Sequence, residues 1–241
     1  ASPFHPANNA QGIGPESRYD CYRPKDSGLL EVQETIVREI ARRLNGFDNI
    51  LYNPWNEPFW NEPDLRDNEE LDFHRAMLAA IREEEAELPK KHVVGHNFPR
   101  WAPQLDGFDI IHEHYPITVP GSPVRGAELL LEDRYDSGKV LSLNETDPVT
   151  ADQARLEAWM FILGGGAIYN GLDYKHHIYT ADDETGSSAP GQDIRDGIRN
   201  LGIYSGTLDL VRLRRDLSWV VSGMPDGATL QALASPGQQY V

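Results

Sequence analysis

Short apolar, β-prone runs alternate with segments of helical period along most of this chain, and that alternation restricts the fold more than any other feature. The runs 49–53, 92–96, 109–112, 139–143 and 167–172 read as strands. Helical spacing of apolar residues fills the intervals: 29–44, 68–88, 128–135, 151–163 and 194–213. The first helix carries Leu29, Val32, Ile36, Ile40 and Leu44 on its predicted inner stripe, with an N-cap offered by Asp26 and Ser27 and a C-cap glycine at Gly46. The second turns Leu71, Met77, Leu78 and Ile81 inward and stops at Pro89. The last is interrupted by Gly197 and Gly202. Single strands separated by single helices point to βα units and a parallel sheet. Residues 1–27 lack any period and read as a loop, and from 217 onward only strands and turns are predicted.

Composition removes several classes of function. With 39% hydrophobic and 25% charged residues the 241-residue chain can build a core, and its net charge of -16 repels phosphate backbones and anionic membranes. Neither nucleic acid nor a membrane is expected as a partner. One cysteine, Cys21, allows no intrachain disulfide and no cysteine-based zinc site. No apolar run approaches the roughly 18 residues of a membrane helix. The opening Ala1-Ser2-Pro3-Phe4-His5-Pro6 is loop-like and carries no leader pattern, so it reads as an internal stretch of a protein.

The polar residues of interest follow the strands, where parallel α/β folds place their ligands. After the first strand comes Trp55-Asn56-Glu57-Pro58-Phe59-Trp60. Aromatic surroundings desolvate a carboxyl and favour its protonated form, which suits a general acid. After the fourth comes Asn144-Glu145-Thr146-Asp147; Glu145 is the second carboxylate, and Asp147 before Pro148 is a helix-cap residue. Two carboxylates from different strand ends form a retaining glycosidase pair when about 5–5.5 Å apart. The third strand runs into His112-Glu113-His114-Tyr115-Pro116. A His or Tyr there can hydrogen-bond the nucleophile. A metal set is disfavoured because neighbours on a strand face opposite ways, leaving only His112 and His114 on one side. His96, Asn97, Trp101 and Trp55 are candidate sugar contacts, as is Tyr169 on the last strand.

The segment Asn49-Ile50-Leu51-Tyr52-Asn53-Pro54-Trp55-Asn56-Glu57-Pro58 resembles the acid/base segment of clan A glycoside hydrolases, whose (β/α)8 barrels close strand four with an Asn-Glu pair and strand seven with a nucleophile Glu. Residues 111–116 resemble strand six, 139–145 strand seven, and 164–174 strand eight of the cellulase-like family 5 relatives. The resemblance implies Glu57 as acid/base, Glu145 as nucleophile, Asn56 as the contact to the sugar 2-OH, and His114 and Tyr115 as neighbours of the site. It also implies a barrel that starts near strand four, with residues 1–215 as a partial catalytic barrel and 216–241 as the start of a β module. Residues 2–9 resemble the loop after strand three. The Arg that family 5 supplies from strand two and the strand-eight Trp have no counterpart, and the His-x-Tyr pattern of strand six is replaced by adjacent His114 and Tyr115.

The function this implies is cofactor-free hydrolysis of β-glycosidic bonds in plant-type oligo- or polysaccharides by double displacement, outside the cell or in a periplasm. The alternatives are a non-catalytic carbohydrate-binding remnant and, more distantly, a metal-dependent hydrolase on His112, Glu113 and His114. A barrel missing strands leaves open sheet edges, so a second copy is expected to cover them.

Overall fold

The computed structural model describes residues 5–15, 21–22, 28–58, 68–97, 105–114, 124–146, 150–171, 189–218, 223–226, 228–235 and 239–240. Five strands form one sheet in the order β1-β2-β3-β4-β5: β1 (Leu51–Tyr52), β2 (Val93–His96), β3 (Ile110–His114), β4 (Val140–Thr146) and β5 (Ile168–Gly171). Each registered pair is parallel. The helices are α1 (Leu29–Leu44), α2 (Asn68–Ala86), α3 (Arg125–Arg134), α4 (Ala151–Leu163) and α5 (Ala189–Ser205). A doubly wound sheet reverses its strand order at a switch point, whereas a barrel adds each strand beside the last. Sequential order therefore makes this a (β/α)-barrel type of sheet, truncated to five strands among the described residues.

The chain divides into two compact units, residues 1–111 and 112–241, with the division inside β3. In the first unit, α2 buries Leu71, Leu78 and Ile81 against Val94 of β2, together with Leu105 and Phe108. A second cluster joins Trp55, Phe73 and Met77, with Leu30 and Val37 of α1 packed against it. The stripe expected on α1 is displaced by this packing. Leu29, Gln33 and Ala41 are buried, while Ile36 and Ile40 are 44% and 43% exposed. Two apolar stripes overlap on α1, and the aromatic cluster selects the one that includes Leu30 and Val37. Gln33 tolerates burial because its amide donates to the Cys21 carbonyl at 3.0 Å. The helix starts behind Gly28, which has φ 67 and no side-chain cap, in place of the cap expected from Asp26 and Ser27. Its C-cap is Asn45 in the right-handed region, so Gly46 follows the cap without the left-handed turn expected of it.

In the second unit, α4 has the bounds read from the sequence, capped by Thr150 Oγ1 accepting from the Gln153 N–H at 3.1 Å. β4 is longer than expected and takes in Asn144, Glu145 and Thr146, so Glu145 belongs to the strand's last turn of pleat. α5 runs unbroken through Gly197 and Gly202 and ends at Ser205, eight residues before the expected stop. At Gly197 α5 faces the Arg155 side chain of α4, where an added Cβ would meet it at 3.5 Å, an ordinary van der Waals contact. The tail forms a small antiparallel sheet of β6 (Arg214–Arg215), β7 (Leu233–Ser235) and β8 (Gln239–Tyr240). It is fastened to the α3 end, where the Arg215 N–H donates to the Tyr135 hydroxyl at 2.7 Å. Among the described residues no helix is long and apolar enough to cross a membrane.

Candidate active site

Glu57 follows β1 by five residues. Its backbone lies at φ 50, the left-handed region, which few residues other than glycine occupy without cost. The Glu57 N–H donates to Asn97 Oδ1 at 2.7 Å, and Asn97 is fully buried directly after β2. Two strand ends of the first unit thus fix one carboxylate-bearing residue through its backbone. Its neighbour Asn56 is exposed.

Trp55 and His96 are placed differently from expectation. The Trp55 indole stacks on Tyr22 at a centroid distance of 3.8 Å and on His74 at 5.4 Å, meets the edge of Phe73, and is 5% exposed. A sugar platform needs a free face, so Trp55 is a core residue. His96 is fully buried and lies edge-on to Phe108 at 5.2 Å. Strand alternation explains it: His96 shares a side with Val94, which faces α2, and the next residue, Asn97, turns the other way to Glu57. Of the two candidates after β2, Asn97 is the one that reaches the carboxylate residue.

In the second unit the decisive feature is a register slip in β4. Leu143 is opposite Tyr169 and Thr146 is opposite Gly171, so three steps along β4 match two along β5. One extra residue in a strand reverses the facing of everything after it. Before the slip, Ser142 faces away from α4, and its Oγ lies 2.9 Å from His112 Nδ1. Regular alternation would put Glu145 on the same side as Leu143, towards the helices. The slip turns it back, and its carboxylate reaches His114 Nδ1 at 3.2 Å. His114 is buried while Glu145 is half-exposed, so the carboxylate keeps an open side.

Thr146 is turned the other way. Its hydroxyl is 3.3 Å from the Tyr169 hydroxyl, which in turn is 3.0 Å from Glu157 Oε2 and 3.3 Å from the Ala154 carbonyl on α4. Tyr169 is therefore engaged with the helix layer, contrary to the expectation that it meets a sugar. Burial raises the pKa of Glu157 above the usual carboxylate range, and hydrogen bonds from Thr146 and Tyr169 partly offset this. Burial, and then the Glu157 charge, raise the Tyr169 phenol as well. His112 is pushed down to about 4, first by burial and then by neighbouring His114, and is neutral at pH 7. Glu113 alternates away from both histidines on β3, so His112, Glu113 and His114 do not share one face.

Tyr115 and Trp101, the remaining candidates, lie outside the described residues. The sequence reading missed Thr146, Glu157 and Ser142. Glu157 carried a signal, as a carboxylate inside the apolar run of α4 between Ala154 and Ala158.

No protein-family model matches the chain, and no curated protein does. Among solved structures, a GH5-4 broad specificity endoglucanase from Clostridium longisporum is similar at 12% identity and a TM-score of 0.46, over 75% of this chain and 67% of that one. At that score the likeness carries no argument about family or activity.

Proposed function

We propose that the chain is a retaining glycoside hydrolase that cleaves β-glycosidic bonds in plant-type oligo- or polysaccharides. The supporting observation is that β4 departs from regular pleating where it carries Glu145, and the departure turns that carboxylate onto His114. A carboxylate on a strand has no packing use there, and a bulge that re-aims a side chain is typical of active sites. In this reading Glu145 attacks the anomeric carbon while Glu57 protonates the departing oxygen. Glu57 then deprotonates the water that releases the sugar from Glu145. His114 orients the nucleophile, and Asn97 fixes the backbone of the acid/base residue. The sugar is β-linked glucan, mannan, xylan or galactoside. No metal or organic cofactor enters the reaction.

The competing reading, a carbohydrate-binding remnant, would lean on aromatic platforms. It is weakened because Trp55 and Tyr169 are both engaged internally. Hydrolysis of aryl β-glycosides and of β-glucan, mannan and xylan tests the proposal. Glu145→Ala is expected to lower kcat by about 10⁴-fold or more, as loss of a nucleophile does. Glu57→Ala is expected to cost about 10²–10⁴-fold, least on substrates whose leaving group needs no proton. Sugar binding without turnover by the wild-type chain would establish the remnant instead.

A further inference from the structure

The buried cluster behind β4 is not used by the chemistry above, yet it sits at the slip that aims Glu145. We infer that Thr146, Tyr169 and Glu157 are positioning residues that lock the β4 bulge and so hold the Glu145 carboxylate on His114.

The geometry leaves little freedom. Leu143 and Thr146 oppose residues two apart on β5, so both face α4, and the two residues between them must fit the length of one. Such a strand can relax by sliding back into register. That slide would turn Thr146 to the other face and Glu145 towards the helices. The Thr146 hydroxyl resists it, because it is tied to Tyr169 at 3.3 Å. The single Tyr169 O–H points at α4, shared between Glu157 Oε2 and the Ala154 carbonyl. Thr146 is fully buried and Glu157 nearly so, and a buried polar group that loses its partner cannot turn to water instead. Glu157 is also a poor choice for stability alone, since burial disfavours its charge and an apolar residue of its shape would fill the space. Its place inside α4, bonded to Tyr169 opposite the slip, fits a device that specifies one register of the neighbouring strand.

The inference rests on the proposed nucleophile role of Glu145 for its kinetic readout alone. Three substitutions each remove one link: Thr146→Val, Tyr169→Phe and Glu157→Met. Each is expected to lower kcat about 10- to 100-fold with KM within about threefold, as loss of alignment of a reacting group does. Thr146→Ser keeps the hydroxyl and is expected to stay within about threefold of wild type in kcat. Glu157→Met separates positioning from stability, because it is expected to melt no lower than wild type while still losing turnover.

Crystal structures of wild type, Tyr169→Phe and Thr146→Val give a readout that needs no activity. Glu145 is expected to leave hydrogen-bonding distance of His114 in both variants. Variants that melt lower but keep both kcat and the Glu145–His114 contact would overturn the inference, as would failure of Thr146→Ser to restore them. If the wild type hydrolyses no glycoside, the proposed function fails, and the crystal structures still decide the positioning role.

Discussion

Glu57 is held in a backbone region that costs a residue with a side chain about 1–3 kcal/mol, and its N–H is held by Asn97. A strained residue persists only where its surroundings over-determine it. Asn97→Ala is therefore expected to destabilise the fold by about 0.5–1.5 kcal/mol in urea titrations, the net contribution of a part-buried hydrogen bond. It is also expected to reduce turnover, because Glu57, the proposed acid/base residue, relaxes; an unchanged urea midpoint would contradict this role. Which residue types stand beside the carboxylates was legible in the sequence. Which way they face was not. Trp55 and Tyr169 read as sugar contacts because aromatics beside carboxylates at strand ends commonly are. Their use is decided by Tyr22 and His74 in one case and by Glu157 in the other, all distant in sequence.

Elements were read better than faces. Strand and helix order came through because a period of two and a period of 3.6 are local properties. The outer exposure of Ile36 and Ile40 did not, because α1 carries two overlapping stripes and tertiary packing chooses between them. The β4 slip was illegible for a related reason: a bulge is a relation between two strands, and Asn144-Glu145-Thr146 alone has no mark of it.

The junction between α2 and β2 carries a pH dependence of its own. His92 Nδ1 pairs with Glu85, and His92 Nε2 lies 2.8 Å from the Phe47 carbonyl. Both partners are acceptors, so only the imidazolium satisfies them. The Phe47 carbonyl first, and Glu85 next, raise the His92 pKa above 6.5. A raised folded-state value means that this stabilisation is complete below pH 6.5 and is lost as pH rises through the folded value. The urea midpoint is expected to fall as pH rises above 6.5 in the wild type and to fall less in His92→Gln. Equal slopes in the two proteins would contradict the assignment.

At the scale of the whole molecule, the sheet of strands in sequential order was the most legible result, and where it ends carries a consequence. β1 pairs with β2 on one side and with no strand on the other among the described residues, and its Leu51 is 44% exposed. An open edge beside exposed apolar side chains favours pairing with another chain. We propose self-association through the first unit, by the β1 edge and the exposed Ile36 and Ile40 of α1. Light scattering is expected to give at least twice the 27.1 kDa of one chain, and Ile36→Glu with Ile40→Glu is expected to return the monomer. Salt should strengthen the association, since each copy carries a charge of -16. A wild-type monomer at all concentrations would contradict it.

Glu145, turned by the slip in β4, is the proposed nucleophile of a retaining reaction. The most direct measurement is mass spectrometry of the protein after reaction with a 2-deoxy-2-fluoro-β-glycoside carrying a good leaving group, which slows release of the covalent sugar more than its formation. One added sugar is expected, located on the peptide that contains Glu145 and absent from Glu145→Ala. Turnover of ordinary β-glycosides with no adduct and with inverted product, or an adduct on a different residue, would contradict it.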